Sequence, residues 1–257
     1  MLYLFTLIIS FLVSIASLHS QSIDLAQYEK SVFSQCGEDG VIEKIFQLIG
    51  TSSKYYVEFG AMDGHAYSNT KYLREFKGWA GLLMDCEYED FSINLHKHLI
   101  TAENINELFE MHNVPNDLDL LSIDVDGNDF YIWLALNEKY RPRLVVIEYN
   151  PNYIPPIDCV IPYNPTHRWD RTRYFGASIT AFYKIGLQKK YTLVYAGGGN
   201  LYFIPDELVS VSFKDANNVF RLFQLGKHNP DPKNRPFISS DEAIRSWEEG
   251  NFLVEKN

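Results

Sequence analysis

Cysteine is scarce in this chain. There are three in 257 residues, Cys36, Cys86 and Cys159, and no CxxC pair. An odd, sparse set excludes a disulfide framework and predicts free structural thiols. No Cys/His metal spacing is read from the sequence, so no metal is assigned to it. Clustered positive charge is missing too. The formal net charge is -10 and no run of Lys and Arg occurs, which argues against nucleic acid as the main partner. Arg168, Arg171 and Arg173 form a local group between aromatics. They read as contacts for an anionic substrate or as solvated loop charge. No Asn-x-Ser/Thr sequon is present, because Pro165 excludes Asn164. Internal repeats are absent.

Apolar residues make up 46% of the chain and aromatics 15%, a globular composition long enough for one large α/β domain with its own core. Residues 1–20 carry no Asp, Glu, Lys or Arg, and 2–18 are almost continuously apolar. This segment reads as a secretory signal peptide or a short membrane anchor. The expected organisation is therefore a leader at 1–20 that exports the chain or attaches it to a membrane, a linker at 21–32, a main domain at 33–212 and a C-terminal extension at 213–257.

Within the main domain, short apolar runs alternate with helical periodicity. Strands are expected at Val57–Gly60, Gly81–Asp85, Leu99–Ala102, Leu118–Asp124 and Leu144–Tyr149. Closing strands are expected at Tyr191–Tyr195 and Asn200–Ile204, with Gly197–Gly199 as a hairpin turn. Helices are expected over Gly40–Ile49 with Asp39 as its cap, and over Ser68–Phe76, Ile105–Met111, Tyr131–Leu136 and Gly176–Gly186. Apolar runs without alternation imply strands buried on both faces, hence a mostly parallel sheet with helices on both sides. The irregular, aromatic-rich stretch Pro151–Phe175 is long for a loop and reads as functional.

The most informative segment is Tyr55–Gly64. A strand delivers Glu58 and breaks into a turn with Gly60 and Gly64 four apart, Asp63 between them, and a helix beyond. Glycines let the backbone approach a ligand closely, and strand tips are where an α/β sheet binds nucleotide-like cofactors. The GxGxxG of a dinucleotide site is missing, which disfavours NAD. Acids near the loop suit the cationic S-adenosylmethionine, and Asp85, ending the next strand, suits its ribose hydroxyls. A second acidic group, Asp124-Val-Asp-Gly-Asn-Asp129 with Glu148 and Asn150, lies at later strand ends. It supplies a general base, a divalent-cation site, or helix caps and turn ligands. His65, directly after the glycine turn, is a second candidate base.

The motifs Ser34-Gln-Cys-Gly-Glu-Asp-Gly40, Val57-Glu-Phe-Gly-Ala-Met-Asp-Gly64, Ser68-Asn-Thr70, Gly78-Trp-Ala-Gly-Leu-Leu83, Asp119-Leu-Leu-Ser-Ile-Asp-Val-Asp-Gly-Asn-Asp129, Val145-Val-Ile-Glu-Tyr-Asn150 and Gly176-Ala-Ser178 resemble the FkbM-type methyltransferases. The similarity runs from about Phe33 to Ile204. It implies a Rossmann-like class I methyltransferase fold: a mostly parallel seven-stranded sheet with an antiparallel C-terminal hairpin and helices on both faces. It implies S-adenosylmethionine as cofactor and methyl transfer to a hydroxyl oxygen of a sugar, glycan or small metabolite. It also implies Glu58, Gly60 and Gly64 at the methionine end, Asp85 at the ribose, Asn104 near the adenine, and Asp124 and Asp126 in the reaction pocket. With the residue reading, the cofactor set is Glu58, Gly60, Asp63, Gly64, Asp85, Asn104 and Asp124. The catalytic candidates are Asp126, Asp124 and His65, and Tyr163, Arg168 and Trp169 are expected at the acceptor. The chain departs from the family pattern at Asp85-Cys86, where a Glu-Pro pair is common. A catalytically inactive domain that only binds ligands is the competing reading.

Overall fold

The computed structural model of the chain describes residues 22–250. The leader at 1–20, and with it any attachment through residues 2–18, lies outside them. Among the described residues no helix is long and apolar enough to cross a membrane.

The backbone alternates strand and helix in the order the apolar runs dictate. It runs α1 Glu38–Ile49, β1 Tyr55–Phe59, α2 Lys71–Lys77, β2 Ala80–Asp85, β3 Leu95–Lys97, α3 Ile105–Met111 and β4 Leu120–Ile123. It continues with α4 Asp129–Ala135, β5 Leu144–Glu148, α5 Ile179–Gln188, β6 Tyr191–Gly197, β7 Asn200–Pro205, α6 Val219–Leu222 and α7 Ser240–Glu248. The sheet order is β3-β2-β1-β4-β5-β7-β6. Strands β1 to β5 pair in parallel, and β7 joins β5 and β6 antiparallel. This is a mixed α/β, Rossmann-like architecture with an antiparallel C-terminal hairpin.

Both sheet faces are buried, as the unbroken apolar strands require. Val57, Leu82, Leu121, Ile123, Val145 and Ile147 pack with α3, α4 and α5 on one side. Tyr56, Leu83, Leu120, Leu144 and Val146 pack with α1 on the other. The chain steps outward from β1 to β2 and β3, then returns to β4 on the opposite side of β1. The order therefore reverses between β1 and β4, where open α/β sheets form their ligand crevice.

Several local expectations are corrected. The third strand is Leu95–Lys97, with Leu95 buried against Leu83, not Leu99–Ala102. The latter segment leaves the sheet and leads into α3, tied by Thr101 N–H to Asn104 Oδ1 at 2.8 Å and Asn104 Nδ2 to Leu99 O at 2.8 Å. Helix α2 starts at Lys71, because Ser68–Thr70 are held by Glu58 (below). Asp39 does not cap α1. It lies inside the helix, and its Oδ2 accepts the amides of Val32, Phe33 and Ser34 at 2.7, 2.8 and 2.9 Å. The hairpin turn is the two-residue Gly198-Gly199, both at positive φ, as a primed turn demands.

The segments flanking the main domain pack onto it. Ile23 bridges Phe213, and Lys214 meets Asp24 at 2.7 Å. Val160, in the long loop, bridges Ala177 on one side and Ile238 of the tail on the other. Arg235 reaches Asp170 at 2.6 Å and Asp231 at 3.0 Å, and lies 4.0 Å over the Tyr174 ring. The tail thus clamps the loop Pro151–Phe175.

Candidate functional site

A cavity of about 480 Å³ opens at the C-terminal ends of the parallel strands. Its walls draw on every strand around the reversal point: Gly60 after β1, Asp85 and Cys86 at β2, Asp124 and Asp126 after β4, and Glu148 at β5. Gly60 is indispensable to this geometry. Its φ is +64°, and a Cβ there would lie 1.6 Å from the Asp124 carbonyl oxygen. Only a residue without a side chain lets the β1 turn approach the end of β4.

Asp85 is buried beside this turn. Its Oδ2 accepts Met62 N–H at 2.9 Å and its Oδ1 accepts Glu87 N–H at 2.7 Å. The carboxylate is thereby fixed while still facing the cavity, an arrangement able to accept hydroxyl donors. Arg168 extends from the long loop to Cys86 Sγ at 2.9 Å, so it reaches the β2 end of the cavity. Trp169 also lines it. Its Nε1 donates to Thr172 O at 2.7 Å, and its ring meets Phe175 and His228 edge-on.

The floor is acidic. One carboxylate oxygen each of Asp124, Asp129 and Glu148 lies within 4.8 Å of the others. Asp129 is the anchored member, accepting Val125 N–H at 2.7 Å and Gly127 N–H at 2.9 Å. Burial still lifts it to about 6, against these bonds. Burial, then the like charges of its neighbours, pushes Asp124 well above the usual carboxylate range, and Glu148 rises for the same reasons. One oxygen of Asp124 lies within 4.8 Å of one of Glu148, and two like charges this close in a buried site favour holding a proton on one of them. Asp126 stands at the mouth with φ +56°, an uncommon backbone for this residue, and desolvation by the walls raises it as well. Such a floor can take up a proton, and its negative charge favours a cationic ligand.

The structure separates the expected site residues into two groups. Gly60, Asp85, Asp124, Asp126, Arg168 and Trp169 come together on the cavity wall. The others lie outside the lining. Glu58 is buried and turned to its own loop. Its Oε2 accepts Ser68 Oγ–H at 2.7 Å and Thr70 Oγ1–H at 2.5 Å, and its Oε1 accepts Asn69 N–H at 2.7 Å. Burial raises its pKa and these three bonds oppose that rise. Asp63 caps the amides of His65 and Ala66 at 2.8 and 2.9 Å. Gly64 supports the turn against Leu83 and Ile93. His65 is exposed and does not line the cavity. Asn104 ties the wall segment Leu99–Thr101 from behind. Tyr163 is buried against Tyr131, and its hydroxyl donates to Glu103 and accepts Ala102 N–H.

Some lining residues had no sequence signal strong enough to find them. Gln35 is brought to the rim by the folded turn of its motif, in which Ser34 and Asp39 exchange hydrogen bonds. His228 comes from the tail, beyond the region of resemblance, and is held by Asn152 at 2.9 Å. His96, His98 and His112 converge away from this cavity. The His96-x-His98 spacing, running off the end of the short strand β3, is the available signal, and His112 is far enough along the chain to hide it. No protein-family model matches the chain, and no curated protein matches it.

Proposed function

We propose that the chain is an S-adenosylmethionine-dependent methyltransferase of the FkbM type that methylates a hydroxyl oxygen of a sugar, glycan or small metabolite. The observation that carries this reading is the cavity at the reversal of strand order, bounded by the Gly60 turn, Asp85 at the end of β2 and the acidic floor. Its volume falls within the range of small-molecule and cofactor sites, roughly 300–1,000 Å³. Asp85, already oriented by backbone amides, suits a ribose diol. The Gly60 turn admits a ligand close to the backbone, and the carboxylates of Asp124, Asp126 and Glu148 suit a sulfonium cation.

The cofactor would supply an activated methyl group, and the protein's task is to align the acceptor oxygen and remove its proton. Asp126 is the open carboxylate at the mouth and the first candidate for contact with the hydroxyl. The close carboxylates of Asp124 and Glu148 lie below it. A cationic ligand above the floor favours the ionised form of that pair, so binding would make a proton acceptor available where the reaction needs one. Trp169 and Arg168 wall the side facing the loop and limit water entry.

Isothermal titration of the full chain with S-adenosylmethionine tests the reading. Saturable binding is expected, weakened about tenfold or more in Asp85→Ala, which removes an oriented polar partner. Absence of heat at millimolar ligand would sink it. Release of S-adenosylhomocysteine in the presence of a panel of hydroxyl acceptors then identifies the acceptor class.

A further inference from the structure

The edge of the sheet beyond β2 carries three histidines that the cavity does not use. His96 lies on β3, His98 follows the strand, and His112 ends α3. Side chains two residues apart on an extended chain share a side. The His96 and His98 rings accordingly lie near-parallel at 6.3 Å, and the His112 ring meets them at 4.3 and 5.0 Å. One ring nitrogen from each lies within 4.8 Å of the other two, and all three residues are half-buried.

Two details favour ligation. His98 Nε2 and His112 Nε2 are 2.8 Å apart, so one proton sits between two nitrogens that point at the same spot. Moving that proton to the far ring nitrogen frees both lone pairs. The state of His96 is set by Asn94. The Asn94 amide donates through Nδ2 to Gly81 O at 2.7 Å, so its Oδ1 faces His96 Nε2 at 2.9 Å. A carbonyl oxygen only accepts, so Nε2 carries the proton and Nδ1 keeps its lone pair. An orienting carbonyl on the non-ligating nitrogen is the usual support of a metal-binding histidine.

We propose that His96, His98 and His112 bind one zinc-class divalent cation, with water completing the coordination. Three imidazoles form a borderline donor set that selects zinc, nickel or copper over magnesium or calcium. Two imidazoles on tetrahedral zinc, with bonds of ~2.0–2.1 Å, sit about 3.3 Å apart, so the 2.8 Å pair must open by about half an ångström. The site is coupled to the cavity wall through the backbone. His98 N–H donates to Asp85 O at 2.8 Å, and Leu99 and Ile100, the next residues, line the cavity. The ion would fasten the α3 end to the sheet edge behind that wall.

The test uses the full chain without an affinity tag, stripped with chelator and titrated calorimetrically with zinc chloride. One zinc per chain is expected, with cobalt giving visible absorption of tetrahedral intensity at the same stoichiometry. His96→Ala, His98→Ala and His112→Ala should each weaken binding about tenfold or more, whereas His65→Ala should leave it unchanged. Because an alanine variant can lose structure, His112→Gln, which keeps a hydrogen-bonding side chain, is measured beside it. Zinc should raise the Tm of the wild type and not that of His112→Gln. No zinc binding, or binding of unchanged affinity in folded histidine variants, would overturn the proposal. So would binding that survives all three alanine variants but disappears in Asp124→Asn.

Discussion

Two acidic stations stand on adjacent parallel strands, and they differ in what surrounds them. Glu58, on β1, is met by two hydroxyls and a backbone amide, so its carboxylate organises the Ser68–Thr70 turn. Asp124 and Glu148, at the ends of β4 and β5, meet each other and Asp129. Glu148 Oε2 is buried with no hydrogen-bond partner among the described residues. Position at a strand tip does not make a carboxylate a ligand-binding group. The donors supplied by the next loop decide it. Glu58, turned to the hydroxyls and amide of its own loop and outside the cavity lining, holds the fold, whereas Asp124 and Glu148, facing other acids on the cavity wall, remain available for protons and cations.

The strongest way to break this comparison is Glu58→Ala. It leaves the buried Asn69 amide without its acceptor and frees the turn that precedes α2. A loss of about 3 kcal/mol is expected, a fall in Tm of roughly 6–12 °C for a chain of this size. A Tm within a degree of wild type would remove the structural role assigned to Glu58.

Asp124→Asn should act in the opposite sense on stability. It removes one member of the repelling group, so Tm should hold or rise, while the proposed methyl transfer should fall by about 10²-fold, the scale of general-base removal. The pH dependence sharpens the contrast. Asp129, Asp124 and Glu148 all have folded pKa values above their unfolded ones. The stability they contribute is full below the unfolded values near 4 and is lost as pH rises through the folded ones, about 6 for Asp129. Wild type should therefore lose Tm relative to Asp124→Asn as pH is raised from 4 through 6 and beyond. Parallel melting profiles would contradict a repelling floor.

The smallest effect is expected from Arg235→Ala, which releases Asp170 and Asp231 and loosens the clamp on the loop. On the proposed function, the acceptor KM should rise several-fold with S-adenosylmethionine affinity unchanged, and equal weakening of both would assign the clamp to general folding.

Much of the architecture was legible because buried strands are written in unbroken apolar runs. Leu82-Leu-Met84, Leu120-Leu121 and Leu144–Ile147 announce themselves. The edge strand Leu95–Lys97 does not, since one buried leucine is all it contributes to the core, and the more apolar Leu99–Ala102 beside it imitates a strand. Within the site, Gly60, Asp85, Asp124 and Asp126 were readable from residue type and spacing after each strand. Glu58 shared the same pattern as Asp85, and only the hydroxyls at Ser68 and Thr70 separate the two. His228 was illegible because it reaches the cavity through a tail with no periodic signal, held by Asn152 across the fold.

The bridge from Val160 to Ile238 also bears on biosynthesis. Synthesis proceeds from the N-terminus, so all seven strands emerge before Ile238 does. A nascent chain can complete the sheet and its glycine turn while the wall carrying Trp169 still lacks its outer support. The cavity would then be shaped in two stages, the strand-end side first and the loop side only when the tail arrives.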